Sequence, residues 1–124
     1  MKRTIYAVVS WALCALGVLH MAATPSRFAT LSSDALWFFN TGVLIVVVAL
    51  LNLLNRAYGD SAPGLKRACV AINVVNLGLT VVGGVVSHAR VIEWAIVLII
   101  VVPLTVLSAS LSSTQRPPSA GLRA

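Results

Sequence analysis

Apolar residues run along this chain in long continuous stretches rather than in alternation, and the polar residues gather between them. A helix needs about 20 mostly apolar residues to cross the hydrocarbon layer of a bilayer. Four stretches qualify: residues 4–22, 34–56, 65–87 and 91–111, with ends approximate by a few positions. The links between them are short: "ATPSRFATLSS", "AYGDSAPG" and "HAR". Continuous apolar runs exclude a membrane β-barrel, whose strands alternate apolar and polar positions. The pattern predicts an all-α, integral membrane bundle of four transmembrane helices, forming one domain over residues 1–112. In the first link, Thr24 can cap a short interfacial helix opening on Pro25, with Phe28 and Leu31 on one face and Arg27 towards the headgroups. Ser32 or Ser33 can cap the second span, and Asp34 suits the positive end of its dipole.

Composition strengthens this picture. The chain has 124 residues, of which 59% are hydrophobic and 10% charged, and its mean hydropathy is +0.97. Soluble domains carry roughly 25% charged residues. The first apolar run follows Lys2 and Arg3 as a signal peptide would, but it continues to His20 and lacks a good small-residue cleavage site, which favours an uncleaved span. The polar segment 113–124, rich in Pro and Ser, is expected to be a disordered cytoplasmic tail.

Charge sets the orientation. With four spans both termini share a side, and that side collects Lys2, Arg3, Arg56, Lys66, Arg67, Arg116 and Arg123, against Arg27 and Arg90 on the other. The positive-inside bias puts both termini in the cytoplasm. The net charge of +6 is then topological; no basic stripe interleaved with aromatics supports a nucleic-acid partner. Trp37, Phe38, Phe39 and Trp94 fall at the outer interface, and Tyr6 and Tyr58 at the inner one.

The spans also carry amides, which are costly in lipid unless paired. Asn40, Thr41, Asn52 and Asn55 mark the second span; Cys69, Asn73, Asn76, Thr80, Gly83, Gly84 and Ser87 share one side of the third. A small and polar face is an association face, because small residues let backbones approach and amides bond across the contact. At about 1.5 Å rise per residue, Asn40 reaches the level of Thr80, and Asn52 that of Asn73. Both pairs are expected to join the second and third spans. The first span offers a weaker stripe of Tyr6, Ser10, Cys14 and Gly17. The fourth has neither amide nor glycine, so it is expected to be the most lipid-exposed, bent at Pro103.

Two function classes follow. The first is a non-enzymatic membrane protein acting through helix contacts, as a homo-oligomer or as an accessory subunit of another membrane protein. The second is a small-solute carrier or channel, with Asn40, Asn52, Asn73, Asn76 and Thr80 lining a polar path. A third possibility rests on His20, His88, Asp34 and Glu93, which share the outer level. Those residue types can hold a metal, ligate haem through His20 and His88, or relay protons. Capping and pairing with Arg27 or Arg90 is the simpler role for them. Cys14 and Cys69 stand about 9 Å apart in depth, too far for a disulfide, and read as small packing residues.

Among four-span families, small multidrug exporters rely on a glutamate deep in the first helix, where this chain has no acid. Small fluoride channels carry a Gly-rich, Arg-bearing motif that has no counterpart here. The stretch "LHMAATPSRFATLSSDALWFFNTGVLIVVVALLNLLNR", residues 19–56, resembles a pattern recurring in small uncharacterised bacterial inner-membrane proteins. The resemblance implies a bacterial inner-membrane setting and brings no activity with it.

Overall fold

The computed structural model describes residues 1–110. The segment expected to be a disordered tail lies outside the described residues. The chain forms α1 (Lys2–Ala22), α2 (Thr24–Arg27), α3 (Ser33–Tyr58), α4 (Pro63–Val86) and α5 (Val91–Ser110), with no strand among the described residues. The four long helices are each long and apolar enough to cross a membrane, and their bounds follow the apolar runs closely.

The helix ends have local causes. Ser32 caps α3, its Oγ accepting from the Ala35 amide at 3.2 Å, with Asp34 in the first turn. α4 opens on Pro63, where a missing N–H has no partner to lose. It stops at Ser87, beyond which His88 adopts the left-handed region (φ 51°). α2 forms in the expected link but is a single turn: Phe28 is already extended (φ −127°, ψ 116°) and Leu31 lies beyond it, so the two share no helical face, and Thr24 is not its cap. Ala23 is already helical (φ −75°, ψ −14°), so Thr24 is the first helical residue and Ala23 takes the cap position without a side-chain bond. An N-cap needs an extended backbone to turn its oxygen onto the free amides, and the chain never extends between α1 and α2.

The long helices run alternately up and down. One end, the basal end, holds the amino terminus and the α3–α4 link; the distal end holds the links following α1 and α4. α1 packs most extensively against α3, and α5 rests on both α1 and α4. The α3–α4 contact is much smaller, although the two are sequence neighbours.

Glycine explains the α1–α3 contact. A Cβ on Gly17 would stand 2.8 Å from the Gly42 carbonyl oxygen, and one on Gly42 would stand 2.9 Å from that of Gly17. The two backbones touch, as small residues permit. Beneath this contact Tyr6, Leu13, Ala49, Val101 and Leu104 form the apolar core.

The fourth span departs from expectation. α5 buries Val101, Leu104 and Ser108 and continues as helix through Pro103, whereas in α4 only Cys69 and Asn73 are fully buried. α4 is therefore the least buried long helix. Apolar side chains suit lipid and core alike, so a span without polar markers says nothing about which way it faces. Trp94, expected at the outer interface, lays its ring over Gly84, where a Cβ would meet the indole at 2.5 Å.

Replacing Gly17 with valine must push α1 from α3 and should destabilise the fold by about 1–3 kcal/mol. Gly78→Ala is the matched control, because nothing lies within 4 Å of its Cβ position. Thermal unfolding in detergent reads both. Equal melting of the two variants would contradict the backbone contact.

Candidate functional site

All four long helices contribute polar side chains to one buried cluster in the basal half. Each supplies a pair spaced three or four residues apart, which one helical face presents together: Tyr6 and Ser10, Asn52 and Asn55, Cys69 and Asn73, Thr105 and Ser108. Tyr6, Ser10, Asn52, Cys69, Asn73 and Ser108 have no exposed surface.

Asn52 is the hub. Its Nδ2 donates to Asn73 Oδ1 at 2.9 Å, and Asn73 Nδ2 donates to Asn52 Oδ1 at 2.8 Å, a reciprocal amide pair between α3 and α4. Asn52 Oδ1 also accepts from the Tyr6 hydroxyl at 2.6 Å and from the Cys69 thiol at 3.3 Å. Its second amide proton goes to the Val48 carbonyl at 2.8 Å. Asn55 Nδ2 donates to the Tyr6 hydroxyl at 3.1 Å, so α1 enters the network through one phenol. The remaining hydroxyls turn back on their own helices: Ser10 to the Tyr6 carbonyl, Thr105 to that of Val101 and Ser108 to that of Thr105. Thr105 Oγ1 also lies 3.4 Å from the Asn73 carbonyl oxygen. Only Asn55 Oδ1 is buried in this cluster without a partner.

The cluster is uncharged. The three acids of the chain, Asp34, Asp60 and Glu93, all lie at helix ends or in a link. At the basal rim Arg3 and Arg56 each donate to the other's backbone carbonyl at 3.0 Å, and Arg3 stands 3.7 Å from the Asp60 carboxylate. Amides and hydroxyls bonded to one another in this way bind helices together.

The expected Asn52–Asn73 pairing is thus present. The Asn40–Thr80 pairing is absent among the described residues, and Asn40 is exposed. Its neighbour Thr41 faces α4 instead, because one residue turns a helix by about 100°. Above the amide pair α3 and α4 separate, leaving an open cleft of about 520 Å³. Val48 and Ile72 line its floor, Asn76 its middle, and Thr41, Thr80 and Gly83 its distal part. Thr41 Oγ1 donates to the Trp37 carbonyl at 2.9 Å. Asn76 and Thr80 side chains have no hydrogen-bond partner among the described residues.

The distal residues His20, His88, Asp34 and Glu93 serve separate local contacts. The His20 imidazole stacks on Phe38 at 3.9 Å, Phe28 tilts onto the same ring at 5.6 Å, and the Arg27 guanidinium lies 5.5 Å above it. His20 Nε2 and Thr24 Oγ1 are buried there without partners. His88 and Asp34 are exposed. Glu93 accepts from Arg90 Nη2 at 2.7 Å, Nε at 3.1 Å and the backbone amide at 2.9 Å, which closes the α4–α5 link. Among the described residues no three His, Cys, Asp or Glu side chains stand close enough to share a metal ion. Cys14 and Cys69 are free thiols.

Tyr6, Cys69 and Thr105 were not assigned to the amide network by sequence. The Tyr6–Ser10 stripe carried the signal for α1, but a tyrosine near a span end reads first as an interfacial anchor. The chain matches no protein-family model, no curated protein and no solved structure.

Leucine at Asn73 leaves Asn52 half-paired and should destabilise the fold by about 1–3 kcal/mol. Leucine at both positions should cost less than the sum of the singles, with a coupling of roughly 0.6–1.7 kcal/mol. Denaturant unfolding of the four proteins measures it, and strict additivity would rule the amide pair out.

Proposed function

We propose that this chain is a multi-pass protein of a bacterial inner membrane that acts without catalysis, through helix contacts, as a homo-oligomer or as an accessory subunit of another membrane protein. One observation carries the reading. The distal half of α4 presents Asn76, Thr80 and Gly83 in an open cleft, with the amide and the hydroxyl unpaired among the described residues. Lipid tails offer no hydrogen bonds, so polar groups at that depth are served by another helix. The basal half of the same α4 face already works in this way, through Asn73 on Asn52. The partner is a helix inside the bilayer and not a nucleic acid.

The carrier or channel reading draws support from the same cleft, where Thr41, Asn76 and Thr80 form a polar row. A through-path would have to continue beyond Val48 and Ile72, and there Asn52 and Asn73 bond to each other in a fully buried contact. The contact reading fits this arrangement better. For a metal or haem at His20 and His88 the geometry offers no support, since His20 is stacked between α1 and α3 and His88 stands exposed at the end of α4.

Two experiments test the proposal. Reporter fusions at each terminus and link should place both termini in the cytoplasm, following the basic residues; a periplasmic amino terminus would reverse the orientation. Replacing Asn76 and Thr80 with leucine and valine should reduce the size of the native complex extracted from membranes. Unfolding stability should change by less than about 0.5 kcal/mol, because neither side chain has an internal partner to lose. An unchanged complex would refute the contact reading.

A further inference from the structure

The occupant of the α3–α4 cleft can be specified further, on the premise that the chain works through helix contacts. We infer that it is the α4 helix of a second copy of this chain, related by a two-fold axis along the membrane normal, with Asn76 on that axis.

The first argument is chemical. Asn76 lies ten residues before Val86, about 15 Å from the distal end of α4 at 1.5 Å per residue. An acyl chain filling the cleft would leave the amide bare, since its own polar headgroup stays at the surface. A primary amide both donates and accepts, so it is its own complement. This chain uses that property once already: Asn52 and Asn73 exchange two hydrogen bonds at 2.9 and 2.8 Å. No other residue type on the exposed distal stretch of α4 can satisfy an identical residue in two directions.

The second argument is symmetry. Seven basic residues on the side of the termini against two on the other give every copy the same topology, so two α4 helices meet in parallel. A two-fold contact uses the same patch on both subunits. Residues near the axis then face themselves, and Asn76 meets Asn76 of the other copy at equal depth.

The third argument is shape. Asn76 and Gly83 are seven residues apart with Thr80 between them, the spacing of a helix–helix seam. Nothing lies within 4 Å of the Gly83 Cβ position, so the backbone is bare where a second helix must come close. Leu79, 66% exposed beside this seam, supplies the apolar knob that enters the other copy's cleft against Leu44, which is 64% exposed. The seam also continues the α4 face already paired at its basal end through Cys69 and Asn73.

Cysteine cross-linking of the full chain in native membranes and in liposomes of purified protein tests the inference. Gly83→Cys, and Ser87→Cys one turn further along the seam, should form disulfide-linked dimers on mild oxidation. Val81→Cys, at similar depth on another face of α4, should form none above the background of the native thiols. Asn76→Leu should abolish the Gly83→Cys dimer. Absence of cross-links at both seam positions, together with single-step photobleaching of labelled protein, would overturn the inference. If the native complex still shrank with Asn76→Leu, a helix of another protein would be the occupant and the contact reading would stand. If it did not respond, both would fall. A purified protein that stays monomeric and retains one co-purifying lipid, lost in Asn76→Leu, would assign the cleft to lipid and overturn the inference as well.

Discussion

The reciprocal amide pair of Asn52 and Asn73 is the constraint on which the rest of the bundle depends. It joins α3 to α4 by two hydrogen bonds, and the other helices attach to it. α1 reaches it through the Tyr6 hydroxyl, the Cys69 thiol bonds to it from within α4, and α5 brings Thr105 to the Asn73 backbone. Each hydrogen bond of this kind is worth little in lipid, about 0.6 kcal/mol on average. The consequence of the network is therefore specificity. A helix rotated by one residue would turn Asn52 or Asn73 into an apolar surrounding with its amide unpaired, and that alternative is disfavoured more strongly than the native pairing is favoured.

The two halves of the bundle are held by different physics. In the basal half polar side chains bond to one another, Asn55 Oδ1 excepted, and every long helix is tied in. In the distal half α1 and α3 touch through the bare backbones of Gly17 and Gly42, and α5 holds α4 through Trp94 on Gly84. Among the described residues no hydrogen bond there joins α3 to α4. The cleft is the result: fixed below by the amides, bordered by helices that are each anchored to something else. Asn76 and Thr80, whose side chains have no hydrogen-bond partner among the described residues, lie in it. α4 thus satisfies the amide of Asn73 and leaves that of Asn76, one turn on, without a partner among the described residues.

Much of this was legible in the sequence. Span positions followed from run length alone, and the Asn52–Asn73 pair followed from counting depth along two antiparallel helices. The small-polar face of α4 marked both the internal contact and the cleft. What was not legible depended on rotation and on neighbours. Asn40 and Thr41 are adjacent, and depth could not say which of them turns towards α4. Gly17 was visible in a stripe, but Gly42, between Thr41 and Val43, belonged to no stripe that gave a sign of a backbone contact. α5 had no polar marker to orient it, so its buried face at Val101 and Leu104 could not be told from a lipid face. The histidines were grouped by level, while the structure distributes them by partner: His20 onto Phe38, His88 into the turn that ends α4.

The central claim is that Asn52 and Asn73 are bonded to each other in a dry interior. Side-chain amide NMR of asparagine-labelled protein in a bilayer, followed through deuterium exchange, tests it most directly. The Asn52 and Asn73 amide protons should show mutual through-space contact and persist long after those of the exposed Asn40 have exchanged. Exchange of all three at the same rate, with no Asn52–Asn73 contact, would contradict the account.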